Sequence, residues 1–276
     1  MTTAYDRLGP AYDAWCRSVL EDIPFYVDLA VRSGGPVLEL GVGSGRVAVP
    51  TALAGVTVVG VDSSPAMLEL ARRRAEPHDV DLRLVEADML TLPDLGRFAL
   101  VTIPFRALLH LSSDAERRAV LAAARERLSP GGVLAFDVFH PDADDIAETH
   151  GRWLEREPGI WERATWDASA RQLELAVRTG DSEATMDLWW LDPADWRRLL
   201  GAAGFCGVEA YGWFDRSPLL PGAVDSVWVA QHRLDGPGAG SLRPWNRTPF
   251  ASGSTIPTVR STARPAHSGS SRRSRS

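Results

Sequence analysis

A doubly wound α/β sheet, mostly parallel and seven-stranded, is the fold class that this 276-residue sequence predicts. Three observations predict it. Short β-rich runs alternate with helical patterns as far as residue 139, which is how a parallel sheet covered by helices reads. The first such run leads straight into a glycine-rich turn, Val37-Leu-Glu-Leu-Gly-Val-Gly-Ser-Gly-Arg46. Beyond residue 150 the pattern changes to polar–apolar alternation, the mark of antiparallel strands, so a β-rich flap is inserted after the fifth strand.

The elements follow in order. A buried strand is expected over 37–40, a helix over 46–54, and a second strand over 56–61 that ends in Asp62. Ser63-Ser64 ahead of Pro65 offers an N-cap with proline at the first helical position, and that helix runs to Ala75. A third strand covers 82–85 and closes on Asp88; a fourth covers 98–103. Ser113-Asp-Ala-Glu116 has the spacing of a capping box and opens a helix ending near Leu128, after which 133–139 is the fifth strand. Five tryptophans (Trp153, Trp161, Trp166, Trp189, Trp190) lie in the alternating segment. Asp192-Pro193 caps a helix through Ala203 that stops at Gly204, where a left-handed residue is expected. Strands over 208–213 and 226–230 pair as an antiparallel hairpin at the sheet's edge. The divisions are therefore N-terminal helices (1–35), core (36–149), flap (150–191), C-terminal helix and hairpin (192–233) and tail (234–276).

Composition restricts the chemistry. With 45% apolar and 24% charged residues the chain is globular, and its apolar runs are broken well before the ~18–20 residues of a membrane span, so it is read as cytoplasmic. Cys16 and Cys206 have no metal or disulfide spacing. All 30 basic residues are arginine. A lysine Schiff base, a lysine nucleophile and a Walker phosphate lysine are thereby excluded. Residues 1–235 hold 23 arginines against 36 acids, whereas 236–276 hold seven arginines and no acid. That Ser/Gly/Pro-rich tail is expected to be disordered. An arm for nucleic acid is the lesser reading of it, and the acidic globular part argues for a small-molecule partner and a monomer or homodimer.

The glycine turn carries the functional signal. Gly41, Gly43 and Gly45 after a strand let backbone approach a ligand at a helix N-terminus, as any nucleotide site requires. The spacing is G-x-G-x-G rather than the G-x-G-x-x-G of dinucleotide binders, and Glu39 in the preceding strand suits a cationic ligand better than a pyrophosphate. Asp62 is placed to accept both ribose hydroxyls, and Asp88 with Met89 to meet adenine. Charge therefore favours S-adenosylmethionine.

In these segments the chain resembles the class I S-adenosylmethionine-dependent methyltransferases: 37–45 matches the first motif, Val59-Gly-Val-Asp62 with Ser64 and Met67 the second, Glu86-Ala-Asp88-Met89 the third, and Leu128-Ser-Pro-Gly-Gly-Val-Leu-Ala-Phe136 the fifth-strand turn. The resemblance covers roughly residues 1–232. It implies a Rossmann-like fold, S-adenosylmethionine as cofactor, and an indirect role for Glu39 at the methionine amino group. Ser63 and Ile103 are expected beside the same cofactor. Arg46 is either a helix-surface residue or a contact to the methionine carboxylate. Tyr5-Asp6 and Tyr12-Asp13 are similar to lid helices, with Tyr12 closing over the cofactor. On the acceptor side His110 is a candidate general base, or else a core histidine, and Arg106 a candidate anchor for an anionic group, or else an ion-pair residue. His140-Pro-Asp142-Ala-Asp144-Asp145 with His150 reads as a solvated capping loop, and no metal is expected. The flap tryptophans are core residues or an aromatic wall. The flap's placement resembles that of natural-product and amino-sugar methyltransferases, and Ile103-Pro-Phe-Arg106 lacks the Asn/Asp-Pro-Pro-aromatic run of enzymes acting on nucleic-acid bases. The expected function is methyl transfer to an O, N or C atom of a small molecule. An NAD(P)-dependent oxidoreductase and a non-catalytic S-adenosylmethionine-binding protein are the alternatives.

Overall fold

The computed structural model describes residues 3–9 and 11–232; the tail expected from residue 234 lies outside the described residues. The chain opens with α1 (Ala4–Leu8), α2 (Ala11–Trp15) and α3 (Asp22–Ser33). Thr3 caps α1 reciprocally: its hydroxyl accepts the Asp6 N–H, and the Asp6 carboxylate accepts the Thr3 N–H at 2.7 Å. The longer α3 buries Phe25, Tyr26, Leu29 and Ala30 on one face and ends at left-handed Gly34.

The core then alternates: β1 (Val37–Leu40), α4 (Ala48–Leu53), β2 (Val58–Asp62), α5 (Pro65–Ala75), β3 (Leu82–Glu86) and β4 (Phe98–Ile103). A 3₁₀ turn over Ala107–His110 leads to α6 (Asp114–Arg127), β5 (Leu128–Phe139) and α7 (Ala143–Thr149). Next come β6 (Trp153–Glu157), β7 (Ile160–Asp167), β8 (Gln172–Thr179) and β9 (Ser182–Trp189), followed by α8 (Pro193–Ala202), β10 (Phe205–Tyr211) and β11 (Asp225–His232). One sheet has seven strands in the order β10-β11-β5-β4-β1-β2-β3, and β6–β9 form a separate four-stranded antiparallel sheet. In the larger sheet β1–β5 run parallel, while β11 is antiparallel to both β5 and β10.

This order puts a switch point between β1 and β4, where the chain turns from one side of the sheet to the other, and ligands of such sheets bind outside the carboxyl ends of the strands there. Leu38, Leu40, Val101, Leu134 and Phe136 are wholly buried, as strands covered on both faces must be. In β9 buried Ala184, Met186 and Leu188 alternate with exposed Glu183, Thr185 and Asp187, so that sheet has one apolar face.

Several expected boundaries move for identifiable reasons. Helix α4 begins at Ala48 rather than residue 46, because Arg46 is drawn into the interior by an ion pair. The second strand starts at Val58, and the fifth extends back to Leu128. The final strands span Phe205–Tyr211 and Asp225–His232, so Trp213 lies beyond β10. The Ser113–Glu116 capping box forms as expected. Asp192, expected to cap α8, makes no side-chain cap bond; its carboxylate pairs with Arg171 at 2.8 Å instead.

Gly60 in β2 leaves no room for a side chain, since a Cβ there would lie 2.7 Å from Val42 Cγ2. Gly60→Ala is therefore expected to lower stability by about 1–3 kcal/mol. Gly201, exposed in α8 with open space where a Cβ would stand, should respond oppositely, Gly201→Ala raising stability by about 0.5–1 kcal/mol. Denaturant unfolding of both variants checks the pair of signs.

Candidate functional site

The turn after β1 is built from three left-handed glycines, Gly41, Gly43 and Gly45, with φ of 71°, 54° and 74°. Gly41 and Val42 both donate to the Val61 carbonyl, and Gly43 donates to Asp62 Oδ2 at 2.8 Å. The other oxygen, Asp62 Oδ1, accepts the Ser64 N–H at 2.9 Å. A carboxylate has about four lone-pair sites, so Asp62 keeps accepting capacity for a ligand. Burial raises its pKa above the ordinary carboxylate range, opposed by these backbone donors.

A cavity of about 280 Å³ opens against this turn. Of the residues expected from sequence, Tyr12, Gly41, Gly43, Asp62, Ser63, Met67, Asp88, Met89 and His110 line it. Asp62 ends β2 and Asp88 follows β3 on one side of β1, while His110 follows β4 on the other. Asp88 is exposed, its Oδ1 holding the Leu90 N–H at 2.8 Å.

Five expected residues stand elsewhere. Gly45 faces α5, where a Cβ would lie 3.2 Å from Ala71 Cβ; it permits helix packing rather than ligand approach. Ile103 is wholly buried in the core, and the wall beside it is supplied by Pro104 and Phe105. Glu39 is buried in β1 behind the turn, and loss of solvation pushes its carboxyl up to about 8 against the pull of Arg46. Arg46 takes neither expected role. Its guanidinium is buried, donates to both Asp22 oxygens (2.7 and 2.5 Å) and to the Val19 carbonyl at 3.0 Å, and lies 4.8 Å over the Phe105 ring. Arg106 points away from the cavity, donating to Asp225 at 2.9 Å and stacking on Phe139, which is the ion-pair alternative.

His110 is the more informative acceptor-side residue. Its Nε2 lies 2.7 Å from the Tyr5 hydroxyl, and the Asp187 main chain engages the ring as well. Burial pulls it down from 6.5 to about 4, so the ring is neutral and Nε2 accepts from Tyr5. Tyr5 is half-buried, and desolvation raises its hydroxyl above the ordinary range. Tyr12 packs edge-on to Tyr5 at 5.8 Å and covers Gly43. The pairing of Tyr5 with His110, 105 residues apart, and the contribution of Met186 from β9 were beyond sequence reasoning. Alternation in β9 puts Met186 on its apolar face, but nothing local says which element that face meets. The N-terminal helices are held over the site by Asp13, which pairs with Arg74 at 2.6 Å and accepts from Ser44, by an Asp6–Ser64 hydrogen bond, and by a Trp15–Glu162 hydrogen bond to the flap. Asp142 of the acidic run caps α7 together with Asp145, as the capping-loop reading expected. The tryptophans divide: Trp190 is buried and Trp166 packs against it at 5.5 Å, whereas Trp161 is exposed.

Sheet order and cavity define the class, an α/β protein with a doubly wound sheet and a cavity at its switch point. Residues 37–132 match the family model for a methyltransferase domain. A demethylmenaquinone methyltransferase of Thermus thermophilus is 37% identical over 146 residues, 50% of this chain and 64% of that protein. A Geobacillus sp. protein named as a methyltransferase is 33% identical over 49% of this chain and 54% of its own length, so the chain spans between half and two thirds of these relatives. The CcbJ methyltransferase of Streptomyces caelestis is 26% identical with a TM-score of 0.72, covering 84% of this chain and 98% of that one. CalS10, an amino pentose methyltransferase of Micromonospora echinaspora solved with S-adenosylmethionine bound, is 25% identical with a TM-score of 0.57 over 80% and 96%. Residues 37–132 thus carry a methyltransferase domain, and over most of the described chain the fold is similar to that of S-adenosylmethionine-dependent methyltransferases. No helix among the described residues is long and apolar enough to cross a membrane.

Asp22→Ala would leave the Arg46 guanidinium buried without its partner, a loss of about 3–5 kcal/mol by analogy with other broken buried pairs. Calorimetric melting is expected to show a correspondingly large drop, and Arg46→Lys, which cannot make the two-pronged contact, an intermediate one.

Proposed function

We propose that this chain transfers the methyl group of S-adenosylmethionine to an oxygen, nitrogen or carbon atom of a small-molecule acceptor, releasing S-adenosylhomocysteine. The observation that carries this is one cavity with two chemically different sides: Asp62, Asp88 and Met89 beside β2 and β3, and Phe105, Met186 and the Tyr5–His110 pair beside β4. On the first side Asp62 binds the ribose hydroxyls, and Asp88 with Met89 meets the adenine. The donor sulfonium supplies an already labile methyl group, so the protein's work is alignment and exclusion of water. Helices α1 and α2 act as the lid and β6–β9 as the flap. On the second side the neutral His110 draws the Tyr5 hydroxyl into a fixed orientation, and His110 Nε2 takes the acceptor's proton through Tyr5 or after Tyr5 swings aside. The narrow wall of Tyr5, Phe105 and Met186 suits a small acceptor rather than a duplex. The solved relatives support the same view, CalS10 being an amino pentose methyltransferase.

Calorimetric titration with S-adenosylhomocysteine is expected to show one site per chain, and absence of binding at millimolar ligand would refute the proposal. Asp62→Ala should weaken that binding by about 1–3 kcal/mol through lost hydrogen bonds. A methyl-release screen against small phenols, amines and carboxylates then separates catalysis from mere binding.

The histidine gives a pH test. The unfolded chain takes a proton at His110 near 6.5, the folded one only near 4, so this residue costs stability progressively as pH falls through that window. His110→Gln should therefore flatten the loss of stability between those values in melts across pH, while lowering the methyl-transfer rate throughout.

A further inference from the structure

Phe105 and Arg106, neither of them glycine, sit consecutively at positive φ, 54° and 62°. A Cβ disfavours left-handed backbone, so such a pair persists only where its surroundings over-determine it. Here the Asp137 carboxylate on β5 does so. Its Oδ1 accepts the Phe105 N–H at 2.8 Å, and its Oδ2 accepts the Arg106 N–H at 3.2 Å. From the other direction Tyr26 on α3 donates its hydroxyl to Oδ1 at 2.7 Å. Asp137 is 6% exposed and does not line the cavity, so it is not placed to touch a ligand there. Hydrogen bonds to an ionised acceptor are among the stronger ones, which suits them to holding strained backbone.

The turn matters for what it carries. The Phe105 ring forms part of the cavity wall, with Tyr12 and Trp15 edge-on at 6.5 and 6.2 Å and the Arg46 guanidinium over its face. Tyr12 in turn covers Gly43, so the direction of the Phe105 side chain bears on the closure of the glycine turn. Arg106 leaves the same turn toward Asp225 and Phe139. We infer that Asp137 is a positioning residue, whose carboxylate pins the left-handed Phe105–Arg106 turn and thereby sets the aromatic wall that closes the methyl-transfer cavity beside the glycine turn. This rests on the cavity's proposed use for its effect on binding, and on geometry alone for the clamp.

The experiment has two arms. Hydrogen exchange resolved to single amides, on the ligand-free protein, should find the Phe105 and Arg106 N–H groups at least about tenfold slower than unprotected amides. Free exchange in the unaltered protein would overturn the clamp whether or not any variant folds. In Asp137→Asn, which keeps the shape but turns an NH₂ toward a main-chain donor, both amides should speed up about tenfold and S-adenosylhomocysteine should bind about tenfold more weakly. Adding Arg106→Gly, which removes the Cβ penalty at one of the two left-handed positions, should recover affinity to within about threefold of the unaltered protein. Additive losses in the double variant, or faster exchange with undiminished affinity, would overturn the positioning role. If the unaltered protein binds no S-adenosylhomocysteine, the reading of the cavity fails while the exchange arm still decides the clamp.

Discussion

The buried ion pair between Arg46 and Asp22 is the contact on which the rest of the site depends. It joins α3, which comes before the sheet in the chain, to the residue directly after the glycine turn, and the same guanidinium holds the Val19 carbonyl and covers Phe105. Three segments are thus fixed at one point. Neither charge is tolerable there alone, because a buried guanidinium or carboxylate without a partner loses its hydration with nothing in return. Local helix preference yields to this: α4 starts two residues later than its sequence pattern would have it.

Around that pair the interior shifts several ionisable groups toward their uncharged forms, Asp137 by too little to lose its charge near neutral pH. Loss of solvation pushes Glu39 up to about 8 and Asp137 up to about 6, and draws His110 down to about 4. The direction is the same in each case, toward neutrality, as a dry interior demands. Asp62, at the border between core and cavity, is moved the same way but is held by main-chain donors on both oxygens. A cation entering the cavity would therefore find one fixed acceptor, Asp62, backed by Glu39, whose charge depends on what lies near it. This also revises the argument from charge. Glu39 lies behind the turn rather than in the wall, so Asp62 and Asp88 are the acids that line the cavity.

The two sheets divide the labour. The seven-stranded sheet places the glycine turn, Asp62 and Asp88 by register, since β1 pairs with β2 and β2 with β3 in parallel and their ends fall together. The four-stranded sheet presents one apolar face, from which Met186 reaches the cavity. The N-terminal helices close the gap between them through short-range polar contacts, Asp13 with Arg74 and Trp15 with Glu162. The first of these lies near the surface and is individually weak, unlike the ion pair behind the turn.

By itself the sequence determined the doubly wound core, the capping box at Ser113, the flap after the fifth strand, and the grouping of Gly41, Gly43, Asp62, Asp88 and Met89 that lines the cavity. Those features were legible because each is local: a period, a turn or a strand end specifies its own geometry within a few residues. Tertiary structure alone decided the rest. Arg46 went to Asp22, 24 residues away, Arg106 to Asp225, 119 away, and His110 to Tyr5, 105 away. Gly45 was a ligand glycine by pattern and a packing glycine by position, because only the approach of α5 reveals what its missing side chain makes room for. A side chain's partner depends on which elements the fold brings within a few ångströms of it, and sequence spacing carries no record of that distance once the chain has turned back on itself.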